Sequence, residues 1–122
     1  MRGGRTMMTI GRDGSIQICR GDSFFVPLFI NEGTDLQPIR YEMQEGDKVY
    51  VGVTEPNQPF ENAIIKKVYN YDDEKTEYGD LLLVFDVEDT EHLLQGQYYY
   101  SVKIKRGDKV DTLIPERNFI IL

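Results

Sequence analysis

Short stretches in which apolar and polar residues alternate, each closed by glycine, proline, asparagine or aspartate, run along most of this chain. A period of two marks a strand with one buried face, whereas a helix repeats near 3.6. Asp47 to Thr54 alternates most cleanly, setting Val49, Val51 and Val53 inward and Lys48, Tyr50 and Gly52 outward. Leu81 to Val87 places Leu81, Leu83, Phe85 and Val87 on one face, and Tyr98 to Lys105 sets Tyr98, Tyr100, Val102 and Ile104 against Tyr99, Ser101, Lys103 and Lys105. From Ser23 to Asn31, Phe24, Val26, Leu28 and Ile30 share a face. Phe25, Pro27 and Phe29 make the other face apolar as well, so it is expected to be covered. Pro27 cannot donate to a ladder, which calls for an edge position or a bulge.

Weaker segments fill the intervals. Met7–Ile10 and Ser15–Cys19 flank Gly11-Arg12-Asp13-Gly14, whose Asp-Gly suits a hairpin turn. Phe60 to Tyr71 reads as extended, and Asp72 to Asp80 as an acidic loop. Val110–Ile114 and Asn118–Leu122 close the chain, with Pro115 separating two strands or marking a bulge. The one helical signal is Val87 to Leu94, with acids in its first turn and Gly96 to stop it. About seven to nine short strands with one helical turn indicate an all-β sandwich or barrel. A length of 122 residues fits a single domain, 1–122, with 1–19 as an N-terminal hairpin or extension and 20–122 as the sandwich.

Charge narrows the partners. The net charge of −7 argues against nucleic acid, which requires a basic footprint. No apolar run approaches the roughly 20 residues of a membrane helix, so no membrane partner is expected. Met1-Arg2-Gly3-Gly4-Arg5 does not lead into the apolar segment of a secretory signal. The charge is unevenly spread: Asp72 to Glu91 carries nine acids against the single Lys75, while Ser101 to Arg117 carries five basic residues against three acidic. Such polarity is first of all what a solvated acidic face looks like, and it could also orient a head-to-tail assembly.

Candidate chemistry is sparse. His92 is the only histidine and lies among acids, which suits a solvated surface position, so a nucleophile–base pair has little to draw on. Cys19, the only cysteine, follows Ile16 and Ile18 and is expected to be buried or half-buried. One cysteine and one histidine leave little for zinc, and no metal or cofactor is expected. Acid pairs can be drawn from Asp86, Glu88, Asp89 and Glu91, yet any acidic loop offers them. The cluster from Asp72 to Asp80 has the oxygen ligands calcium wants, without EF-hand spacing. Arg-Gly-Asp occurs at residues 20–22 and 106–108, where Gly-Asp is good turn chemistry. The tyrosines say more. Tyr98-Tyr99-Tyr100 must send Tyr99 to the face opposite its neighbours, and Tyr50, Tyr69 and Tyr99 are candidate contact residues for a protein or a sugar.

Between the strands Leu81–Val87 and Tyr98–Lys105 lies Asp89-Thr90, then Leu93, then Gly96-Gln97-Tyr98. This resembles the corner of immunoglobulin-like sandwiches, in which a tyrosine hydroxyl bonds back to upstream backbone. Tyr98 takes that role in the resemblance, with Asp89 or Thr90 capping the turn and Gly96 opening the strand. The fold expected is therefore an immunoglobulin-like antiparallel β-sandwich.

From about Arg20 onward the chain also resembles the immunoglobulin-like N-terminal domain of the baseplate upper protein family of tailed phages. The shared frame is Gly21-Asp22-Ser23-Phe24, Asp47-Lys48-Val49, Ile64-Ile65-Lys66-Lys67 and Gly79-Asp80-Leu81. It continues through Asp89-Thr90, Leu93, Gly96, Tyr98 and Tyr100 to Asp111-Thr112-Leu113-Ile114 and Phe119-Ile120-Ile121. The chain differs from the family's pattern in ending at the domain's last strand. The resemblance implies a non-enzymatic virion component, made in the bacterial cytoplasm. It would act by contact with other baseplate proteins or with itself as a homo-oligomer. The alternative expectation is a carbohydrate-binding module using exposed tyrosines.

Overall fold

In the computed structural model, which describes residues 6–7, 14–30, 36–37 and 39–122, the alternating segments become strands of two packed sheets. In chain order they are β1 (Thr6–Met7), β2 (Ile16–Ile18), β3 (Phe24–Leu28), β4 (Lys48–Thr54), β5 (Ile65–Asn70), β6 (Leu81–Phe85), β7 (Gly96–Arg106) and β8 (Lys109–Ile121). A one-turn helix, α1 (Val87–Thr90), joins β6 to β7, and a 3-10 turn spans Phe60–Asn62. The smaller sheet has the order β1-β3-β6, and the larger β2-β8-β7-β4-β5. Stacked on each other, the two sheets make an all-β sandwich.

The sheets are mixed rather than wholly antiparallel. β1 pairs parallel with β3, and β2 parallel with β8. The described ends of the expected N-terminal hairpin or extension lie in different sheets, Met7 beside β3 and Ile16–Ile18 beside β8. Residues 8–13, with the Gly11-Arg12-Asp13 turn, lie outside those described. Phe60–Asn62 is a 3-10 turn where extended chain was expected, and Val87 starts α1 instead of ending β6. β8 runs unbroken through Pro115; the irregularity there is a register shift against β7 between Tyr100 and Lys103. Pro27 pairs with Leu82 of β6, while the described part of β1 reaches only Phe24 and Phe25. A residue without an N–H is tolerated where a strand has no second neighbour to donate to.

Between the sheets lies the core: Phe24, Val26, Leu28, Leu81, Leu83 and Phe85 from one, and Val49, Val51, Val53, Val102, Ile104, Phe119 and Ile121 from the other. Phe24 and Phe85 stack with centroids 4.8 Å apart, and Phe85 reaches Phe119 across the sandwich at 6.1 Å. Tyr100 meets Phe119 edge-on at 6.3 Å. This aromatic chain occupies the middle of the sandwich, where antibody domains have a disulfide packed on tryptophan. Cys19 takes no part, being exposed and free, contrary to the expected burial. The partner face of β3 is also less covered than expected, since Phe29 is 69% exposed.

Candidate interaction surface

The corner between β6 and β7 is fully bonded. Asp86 and Asp89 form a capping box on α1, in which the Asp86 N–H donates to Asp89 Oδ2 at 2.7 Å. Thr90 is completely buried, and its Oγ1 accepts the Gly21 N–H at 3.1 Å, tying the corner to the turn before β3. Gly96 enters β7 at φ +150°, and the Tyr98 hydroxyl donates to the Leu94 carbonyl at 2.8 Å. Lys67 reaches from β5 to Asp89 at 2.6 Å. Each of these groups has structural work within the fold.

Tyr69 is removed from the exposed set. It pairs with Val49 on β4 and faces the core at 6% exposure, its hydroxyl donating to the Val84 carbonyl at 2.7 Å. Burial pushes its phenol well above the ordinary range. Tyr50 and Tyr99 are half-buried and share the outer face of the larger sheet, with Tyr98 and Tyr100 turned inward as alternation demands. The acidic loop is organised by its own backbone: Asp73 Oδ2 accepts the Asn70 N–H at 2.6 Å, and Asp80 pairs with Arg40 at 3.0 Å. Among the described residues no three His, Cys, Asp or Glu side chains converge as metal ligands. His92 is exposed.

The outer face of the larger sheet carries a feature that no single strand reveals. Lys48 pairs directly with Lys105, Tyr50 with Lys103 and Val68, and Gly52 with Lys66 and Ser101. Outward positions on β4, β5 and β7 therefore hold four lysines and no acid. Lys48, Lys66 and Lys105 are exposed, as is Val68 at 49%. Gly52 is buried because the Phe60 ring lies on it: a Cβ there would come within 2.6 Å of that ring. Lys103 Nζ sits 4.5 Å from the centre of the same ring. Phe60, Ser101, Lys103, Thr112 and Glu116 line a cleft of about 280 Å³ at one border of this face.

Two further groupings lie away from it. Phe29, Ile30, Arg40, Tyr78 and Asp80 line a cleft of about 350 Å³ beside the acidic loop. At the β7–β8 hairpin, Arg106 pairs with Asp111 at 2.7 Å and lies over the Tyr41 ring, and Tyr41 donates to Asp47. Desolvation and the bond to Asp47 raise the Tyr41 phenol.

No family model, curated protein or solved structure matches this chain.

Proposed function

We propose that this chain is a non-enzymatic β-sandwich that works by protein–protein contact, as a tail or baseplate component of a phage or prophage virion. The observation that carries the reading is the outer face of the larger sheet. It combines an exposed valine and half-buried tyrosines, groups that interfaces use, with four lysines whose charge can steer an acidic partner. Of the candidate acid pairs, Asp86 and Asp89 are engaged in the capping box of α1. Co-expression with the products of the neighbouring genes tests the reading. A complex of defined mass supports it; no complex with any of them, together with a strictly monomeric chain, overturns it.

A carbohydrate-binding module is the second reading. Tyr50 and Tyr99 are both outward and half-buried on one sheet face, which suits stacking on sugar rings. Glycan-dependent quenching of tyrosine fluorescence supports it, and a flat response over a diverse glycan panel removes it.

A further inference from the structure

We propose that the lysine face of the larger sheet docks the acidic β5–β6 loop of a second copy of this chain, head to tail. The inference rests on the assembly reading above and names both surfaces and the partner.

Three observations carry it. First, the lysines are placed against the sheet's own interest. Like charges directly opposite on neighbouring strands weaken a sheet, yet Lys48 and Lys105 form such a pair. No ion pair relieves Lys48, Lys66, Lys103 or Lys105 among the described residues. An acidic partner laid across this face removes that repulsion. Glu116 lines the Phe60 cleft together with Lys103.

Second, the complementary charge is in the same chain. The loop between β5 and β6 contains Asp72, Asp73, Glu74, Glu77 and Asp80, with Lys75 as its one cation. Lys75 is turned back on the loop itself, donating to the Tyr71 carbonyl and lying 4.7 Å from the Tyr71 ring centre. Asp80 is held by Arg40, and Asp73 closes its own turn. Asp72 and Glu77 stay exposed.

Third, the two surfaces are different parts of the fold. β5 and β6 are edge strands of different sheets, so their connecting loop crosses from one sheet to the other. The lysines project from the broad outer face. A contact between them is heterologous, and copies joined this way form a ring or a filament rather than a two-fold dimer.

Sedimentation equilibrium at low salt tests the proposal with two charge-reversed proteins. One carries Lys48→Glu and Lys105→Glu, the other Asp72→Lys and Glu77→Lys; all four positions are exposed, and thermal melts establish that each protein folds. A neutral pair, Lys48→Gln with Lys105→Gln, stands in if the glutamates impair folding. The unaltered chain is expected to self-associate, and each reversal to weaken association about tenfold or more. An equimolar mixture of the two reversed proteins is expected to recover it. A wild-type chain that remains monomeric overturns the proposal, as does a mixture that does not recover. Association unchanged by either reversal also overturns it, while leaving the assembly reading in place through another surface.

Discussion

Lys67 lies on the inward-facing register of the edge strand β5, opposite Val51, and bridges the open side of the sandwich to Asp89 at 2.6 Å. Its ammonium sits 5.4 Å from the centre of the Phe85 ring. A charged residue pointing inward from an edge strand discourages pairing with a foreign strand, because that pairing would bury the charge. The same side chain closes the sandwich over its aromatic core. Replacing Lys67 by Ala is expected to cost about 1–2 kcal/mol, since both partners are largely but not wholly shielded from water. Denaturant unfolding measures this directly, and Asp89→Ala should cost more because it also removes the acceptor that closes the capping box on α1.

Tyr98→Phe isolates one hydrogen bond at the corner. Its ring packs against the core while its hydroxyl holds the Leu94 carbonyl. Loss of that bond is expected to cost about 1 kcal/mol, or roughly 3–5 °C of melting temperature at this chain length. A melt indistinguishable from wild type would show that the bond contributes nothing net.

Gly52→Ala tests the cover on the outer face. The added Cβ meets the Phe60 ring at 2.6 Å, so the ring must swing off the sheet and leave Lys103. A destabilisation of about 1 kcal/mol is expected. Adding Phe60→Ala should bring no further full loss, because the ring is already displaced; additive losses would contradict the contact.

Alkaline stability depends on Tyr69. Its phenol is raised in the folded chain chiefly by desolvation, so the folded state holds the proton more tightly than the unfolded state does. The sign follows: this stabilisation is fully present below the unfolded value near 10 and is lost as pH climbs above it. Melting temperatures measured from neutral to strongly alkaline pH should fall more steeply for wild type than for Tyr69→Phe. Equal alkaline slopes would contradict the assignment.

Much of the fold was legible because period-two alternation and burial coincide. Val49, Val51 and Val53 are all essentially buried, and the tyrosine triplet splits across the sheet as alternation requires. The corner was legible because its polar residues sit close together in sequence. Tyr69 was not, since a tyrosine beside lysines on an edge strand reads equally well on either face; its burial depends on pairing with Val49. The lysine face escaped for a related reason. Each strand shows its own outward lysine, but their alignment is set by cross-strand register, which is a property of the assembled sheet. The parallel pairing of β2 with β8 joins residues at opposite ends of the chain and leaves no local signal.

The mass of the unaltered chain in solution, measured by light scattering across a concentration series at low and high salt, tests the central claim most directly. Contact through opposed charges is screened by salt. A mass that climbs with concentration toward a multiple of 14.2 kDa, and falls back as salt rises, is the predicted result. A mass of 14.2 kDa at every concentration and both salt strengths would contradict it.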